Sequence, residues 1–295
     1  WLKVAEAAVK VLPVIAEKFG EYPYPQYAFI HGGDGGMEYP MATLLVGPGA
    51  WLHEWLHNWY HGVLGTNESL YGWMDEGFNT FINTLAEVDF NKGEYKSKPQ
   101  NREVTAKYMF GENTEPIMST PDALREVNIG NDLYSKPGYG LELLRNEILG
   151  PDRFDYAFKE YIKRWAYKHP TPWDFFRTMD NASGENLAWF WKAWFVENYL
   201  FNQAIISVDY DDNGIPGNGA VVTIANLEQM ALPVNISYET RSGKKGTLKL
   251  PVEVWNNTNT WKVKLPTTEA IKKVELDAEK VFPDIDFSNN VWKSN

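Results

Sequence analysis

Residues 53–57 read His-Glu-Trp-Leu-His, and residues 73–78 read Trp-Met-Asp-Glu-Gly-Phe. Positions i and i+4 share a face of an α-helix, so His53 and His57 can turn their imidazoles toward one ion. Glu54 then projects from the edge of that face, next to a water on the same ion. This is the HExxH arrangement of zinc hydrolases, with two nitrogen ligands and a general base. A third ligand is required. His61 lies one further turn along, but three imidazoles spread over about 12 Å of helix cannot meet one ion at Zn–N distances of about 2.0–2.1 Å. His61 therefore reads as a packed or hydrogen-bonded helix residue. Glu76 is the better candidate: eighteen residues separate it from His57, enough for a second helix to return beside the first. A His2Glu set of this kind leaves the fourth position open for water. One zinc ion per chain is the expected cofactor. It lowers the pKa of water from 15.7 toward about 7, so that Glu54 can take a proton as the water attacks a carbonyl carbon. Glu54 can then pass that proton to a leaving amine, while the oxyanion needs zinc and at least one further donor.

Composition narrows the alternatives. At 295 residues the chain is long enough for two domains with a well-buried core. A net charge of -11 with no basic run argues against a nucleic-acid partner. The chain has no cysteine, which excludes disulfides, thiolate zinc ligands and a cysteine nucleophile. No stretch approaches the roughly 20 apolar residues of a membrane span. The N-terminal WLKVAEAAVKVLPVIAEKFG is interrupted by Lys3, Glu6 and Lys10, so it reads as an amphipathic helix and not as the apolar region of a signal peptide. On that reading the chain opens inside a fold, as a mature form or a fragment.

Working outward from the two motifs, the predicted organisation is α+β: a mainly helical domain over 1–202, then an antiparallel β-sandwich over 203–295. In the first part, YAFIHGG and MATLLVG read as short strands joined by a glycine-rich turn, GGDGGMEYP. A helix carries HEWLH, and a second runs from Trp73 to Glu87. Residues 92–131 are polar and irregular, with a helix start expected at Thr120-Pro121. Further helices are expected at 138–149, 153–168, 171–183 and 186–198. The aromatic stripe WFWKAWF (189–195) sits at helical spacing and reads as core. Beyond Asn202 the segments IISVDY, AVVTIAN, LPVNISYET, GTLKLPVEVW, TWKVKLP and IKKVELD alternate apolar and polar residues between turn signals. Short strands at this interval predict a sandwich whose role is packing or spacing.

HEWLH, the eighteen-residue interval and Glu76 within WMDEGF together resemble the M1 zinc aminopeptidases, gluzincins with a thermolysin-like catalytic domain. Upstream, GGMEY at 35–39 is similar to the Gly-x-Met-Glu-Asn stretch of that family. The resemblance extends over nearly the whole chain, because a β-sandwich follows the catalytic domain in that family too. It implies that His53, His57 and Glu76 hold the zinc and that Glu54 is the general base. It also implies that Glu38 receives the free α-amino group of a peptide, and that Gly35 and Gly36 form the strand edge along which the substrate backbone lies. The family's Tyr-x-Lys-Gly tyrosine falls on Tyr134 in YSKPGYG, with Tyr139 as the alternative. Asp75 would orient a zinc histidine.

The implied activity is hydrolysis of the N-terminal peptide bond of peptides with a free N-terminus. An endopeptidase on the same scaffold, or a catalytically weak fragment, is the alternative, and a non-enzymatic binding or scaffold protein stands third. Four departures from the family pattern stand out. Tyr39 replaces the asparagine, and Asn83 replaces an acid seven residues beyond Glu76. Only fifteen positions lie from Glu38 to His53. The N-terminal β-domain that roofs the site in relatives has no counterpart in this sequence. The lack of cysteine and the resemblance together suggest an extracytoplasmic bacterial protein.

Overall fold

A computed structural model describes residues 1–33, 35–90, 102–111, 113–210 and 219–294, the side chains of 88–90 and 102–104 excepted. The chain divides into two compact units, Trp1–Pro99 with Glu115–Val196, and Gln100–Thr114 with Glu197–Asn295. The change of sequence texture read at residue 202 lies a little downstream of that division.

The first unit opens with α1 (Leu2–Phe19), which buries Val4, Ala8, Val11, Ile15 and Phe19. Spacings of three and four place these on one stripe. A three-stranded sheet follows, formed by β1 (Ala28–His31), β2 (Gly36–Tyr39) and β3 (Ala42–Leu45) in the order β1-β3-β2. β1 runs parallel to β3, and β2 runs antiparallel to it at the sheet edge. The stretch whose residue pattern reads as a glycine-rich turn thus contains a strand, beginning at Gly36. Its tight turn is Pro40-Met41, with Tyr39 paired to Ala42 and Met41 at φ 60. Proline followed by a residue of positive φ is the pattern of a type II turn. Two hydrogen bonds hold this hairpin in register. Thr43 Oγ1 donates to the Met37 carbonyl at 2.8 Å, and the Met41 N–H donates to Asn58 Oδ1 at 3.0 Å.

The helix α2 (Trp51–Tyr60) carries HEWLH and is entered through a 3-10 turn at Pro48–Ala50. Next come the short α3 (Glu68–Tyr71) and α4 (Trp73–Phe90), the latter longer than the sequence pattern indicated. α5 (Arg102–Met109) lies within the stretch read as irregular and groups with the second unit. The expected helix at Thr120-Pro121 is a single 3-10 turn, Pro121–Ala123. Leu124 returns to an extended conformation there, so the turn does not propagate.

Farther along the first unit, α6 (Lys136–Leu143) is flanked by π-helical turns at Gly130–Ser135 and Leu144–Leu149. Then follow α7 (Pro151–Trp165), α8 (Pro172–Ser183) and α9 (Ala188–Phe190), which continues into a π-helical turn at Trp191–Val196. α8 starts as its sequence dictates. Thr171 and Asp174 cap each other's backbone N–H groups, Pro172 takes the first turn, and Gly184 ends the helix in the left-handed region. The aromatic residues supply the core: Trp73, Phe78, Phe158, Phe175, Phe176, Trp191 and Phe195 are all buried. Phe176 stacks on Trp191 with ring centroids 4.6 Å apart. Offset and edge-to-face pairs of this kind add about 0.5–1.5 kcal/mol each beyond area burial.

In the second unit, two antiparallel sheets share one apolar layer. One has the order β4-β5-β8, formed by β4 (Gln203–Tyr210), β5 (Ala220–Asn226) and β8 (Thr260–Lys264). The other has the order β10-β9-β6-β7, formed by β6 (Val234–Thr240), β7 (Lys245–Leu250), β9 (Ile271–Leu276) and β10 (Val291–Lys293). Val208, Val222 and Ile224 from the first meet Ile236, Ile271 and Val274 from the second in a single buried cluster. This is the sandwich that the alternation predicted. The strand expected through residue 255 stops at Leu250, because Pro251 has no N–H to donate. A 3-10 turn, Val252–Trp255, follows and buries Trp255, whose Nε1 donates to the Leu232 carbonyl at 2.9 Å. Within this unit Asn198 Nδ2 also donates to the Thr114 carbonyl at 3.0 Å. Among the described residues no helix is long and apolar enough to cross a membrane.

Candidate metal centre

The starts of α2 and α4 bring three donor atoms together. His53 Nε2 lies 3.1 Å from Glu76 Oε2 and 3.3 Å from His57 Nε2. His57 Nε2 lies 3.4 Å from the same Glu76 oxygen. Donors bonded tetrahedrally to one ion at about 2.0–2.1 Å are spaced by about 3.3–3.4 Å. The triangle therefore has the size of one face of a zinc tetrahedron. Two imidazoles and a carboxylate are also the donor chemistry that zinc accepts, so these residues fit the ion.

Each ligand candidate is itself held. His57 Nδ1 meets Asp75 Oδ1 at 2.6 Å. With the ring proton on Nδ1, the Nε2 lone pair is left facing the triangle. Asn79 Nδ2 donates to the His53 carbonyl at 2.7 Å and fixes the start of α2. Asn79 was not singled out from the sequence. Its signal is the spacing of three from Glu76, which puts it one turn on along the same face of α4. Asn83, which stands where relatives carry an acid, donates instead to Glu87 Oε1 at 2.9 Å. Burial raises the Glu76 carboxyl, but hydrogen bonds from His53, His57 and Tyr134 outweigh it and bring it down to about 2. Burial likewise opposes protonation of His57, and the Asp75 and Glu76 carboxylates outweigh it, holding that ring well above the usual histidine range.

Glu54 is 7 % exposed, close to the two histidines. Burial raises its carboxyl, His53 and His57 counteract this, and the Glu38 and Glu76 carboxylates add to the rise. The net shift is upward, the direction that suits a proton acceptor working near neutrality. The Glu54 side chain occupies the space a side chain at Gly36 would need: a Cβ there would lie 2.1 Å from Glu54 Oε1 and 2.7 Å from its carboxyl carbon. Gly36→Ala must therefore swing the Glu54 carboxylate aside. A displacement of about 1 Å at a reacting group costs roughly 100-fold. We expect kcat for a peptide substrate to fall by about that factor while zinc affinity at the donor triangle, measured on the same sample, is unchanged.

Tyr134 Oη donates to Glu76 Oε1 at 2.6 Å, and its ring stacks with His53 at 6.2 Å. Burial and the Glu76 carboxylate push this phenol upward, so it remains a protonated donor. Close packing of α6 on α4 puts it there. A Cβ at Gly77 would come within 2.6 Å of Pro137 Cγ, and one at Gly138 within 3.1 Å of Thr80 Cγ2. The Lys136 carbonyl is anchored by Trp194 Nε1 at 2.9 Å. Lys136 is fully buried, and burial lowers its ammonium to about 8 against the opposing Asp132 charge. Tyr139 lies instead in the core, with its ring 6.0 Å from that of Trp194.

Glu38 sits on the edge strand β2. One of its oxygens, a ring nitrogen of His57 and an oxygen of Asp75 lie within 4.8 Å of one another. Together with Tyr24, Met37, Asn58, His61 and Glu68 it lines a cavity of about 430 Å³. Gly35 has φ 146, and its carbonyl accepts from the Val46 N–H at 2.8 Å. Gly36 begins β2 opposite Leu45. His61 stands at the C-terminal end of α2 and takes no part in the triangle.

Two helices thus present His53, His57 and Glu76 beside an edge strand, with the Glu38 carboxylate at their flank. Residues 50–194 match the Peptidase family M1 domain, a metallopeptidase domain. Solved structures with the same fold include Legionella pneumophila aminopeptidase A in complex with aspartic acid. That match has a TM-score of 0.67 and 13% identity, and covers 95% of this chain and 34% of that one. Another is the M1 zinc metallopeptidase of Deinococcus radiodurans, as a glutamate-to-alanine mutant bound to a Tyr-Ser-Ala substrate. Its TM-score is 0.51 at 19% identity, covering 65% of this chain and 44% of that one. The chain thus spans about a third of the length of the first and under half of the second. No curated protein sequence matches it.

Proposed function

We propose that the chain hydrolyses the N-terminal peptide bond of peptides as a zinc aminopeptidase, with the chemistry carried by its first unit. The observation that carries this reading is the donor triangle of His53, His57 and Glu76, whose edges of 3.1, 3.3 and 3.4 Å match a zinc tetrahedron. Zinc held there would polarise the scissile carbonyl and acidify the attacking water. Glu54 would take the proton from that water and return it to the departing amine, a role its raised carboxyl supports. The Tyr134 hydroxyl would turn from Glu76 to the developing oxyanion. Glu38 would pair with the substrate's terminal ammonium, and Gly35 and Gly36 on the edge strand would lie along the substrate backbone. A carboxylate at a fixed distance from the bond to be cut measures off one residue.

The test uses the zinc-loaded chain and one short peptide in free-amine and N-acetylated forms, with products read by mass. Loss of a single N-terminal residue from the free form alone is the expected result. Equal cleavage of both forms, or internal cuts, would make the chain an endopeptidase and remove Glu38 from its assigned role. No cleavage of either form would overturn the activity proposed for this chain.

A further inference from the structure

Beside the donor triangle lies a second cluster of metal-ligating side chains, which shares Asp75 with the support of His57. His61 caps the C-terminus of α2, Glu68 opens α3, and Asp75 stands in the first turn of α4. His61 Nδ1 lies 3.8 Å from Glu68 Oε2 and 3.8 Å from Asp75 Oδ2. One donor atom from each of the three residues falls within 4.8 Å of the others. We propose that His61, Glu68 and Asp75 form a second site for a divalent transition-metal cation, distinct from the triangle of His53, His57 and Glu76.

Three observations carry it. First, His61 Nδ1 is a buried atom with no hydrogen-bond partner. At 3.8 Å its two carboxylate neighbours are beyond hydrogen-bond range, and a buried polar atom left without a partner is destabilising. Second, Asp75 is 3 % exposed; its Oδ1 meets His57, its Oδ2 faces His61, and its carboxylate is within hydrogen-bonding reach of Glu68, so two carboxylates converge on the same point. Third, His61 and Glu68 line the cavity of about 430 Å³, whose lining contains no lysine or arginine, so a solvated cation can reach them. Drawing both 3.8 Å edges in to the roughly 3.3–3.4 Å of a tetrahedral ion takes about half an ångström of motion. The half-exposed Glu68 can supply it on one edge, and a small rotation of the partly exposed His61 ring on the other. One imidazole and two carboxylates favour zinc and its transition-metal neighbours over calcium or magnesium, which take oxygen donors alone.

The two sites are linked through one side chain. Asp75 Oδ1 accepts from His57, and Oδ2 faces the second site. A cation on Oδ2 draws charge from Oδ1 and weakens the hydrogen bond that makes His57 a good ligand. Filling the second site therefore lowers activity, and excess zinc inhibits.

The second site does not depend on the peptidase reading, and binding measurements separate the two. The metal-free chain is titrated with zinc chloride near neutral pH in a calorimeter, alongside His61→Gln, Glu68→Ala and Glu76→Ala. Two events are expected for the unaltered chain. The weaker disappears in His61→Gln and Glu68→Ala, and the stronger disappears in Glu76→Ala. Glu68 is 53 % exposed in its side chain, so its truncation leaves folding untouched. A single event in the unaltered chain that Glu76→Ala abolishes would overturn the second site and leave the first. A single event that survives Glu76→Ala but not Glu68→Ala would do the reverse. A weak event that persists in both His61→Gln and Glu68→Ala would assign it to an outlying histidine such as His31 or His169, and would also overturn the proposal.

Discussion

Glu54→Gln is expected to reduce kcat by about 10³–10⁴-fold, the upper part of the range for removal of a positioned general base. Zinc should remain bound at the donor triangle with unchanged affinity. The amide keeps the shape of the carboxylate, so the contact with Gly36 survives and the donor triangle, to which Glu54 contributes nothing, is undisturbed. Only the ability to accept a proton is lost. The pair of measurements, turnover and zinc affinity on one sample, separates this from general damage. Turnover within tenfold of the unaltered chain would remove Glu54 from the mechanism. Loss of zinc together with activity would mean that its carboxylate acts on the metal.

Glu76→Ala is expected to be as damaging by a different route. Structural zinc sites bind with roughly 10–16 kcal/mol at neutral pH. If three side chains shared a comparable figure evenly, deleting one would remove about 4 kcal/mol, near a thousandfold in affinity. Competition against a chelator of known affinity measures this directly. Tyr134 would also lose the acceptor it meets at 2.6 Å, so adding back saturating zinc should restore binding without restoring full turnover. Unchanged zinc affinity would mean that another group supplies the third donor.

Much of the site can be read from the sequence because its geometry is local. Four residues along a helix return to the same face, which is why HEWLH pairs His53 with His57 before any tertiary structure is known. Glu76 follows from the one interval that lets a second helix come back. The long-range contacts are not written in any such period. Asn79 holds the His53 carbonyl, and Gly36 makes room for Glu54, because strand, helix and helix meet in space. A single chain gives no periodic signal for that meeting. The same reason hid β2. Four residues next to a run of glycines carry no alternation, and only pairing with β3 makes them a strand. At the other end, β10 is three residues long and is defined by its partner β9. α5 was missed because its sequence is polar, with no apolar stripe to mark it.

Asp75 and Glu76 are neighbours in the chain, and they grip opposite ends of one imidazole. Asp75 meets His57 Nδ1 at 2.6 Å, and Glu76 meets its Nε2 at 3.4 Å. The consequence is entropic. The ring is held against rotation about its Cβ–Cγ bond by two carboxylates that both ride on the first turn of α4. An ion bound between the histidines would not have to freeze that side chain, because the loss of its rotamer freedom already falls on folding.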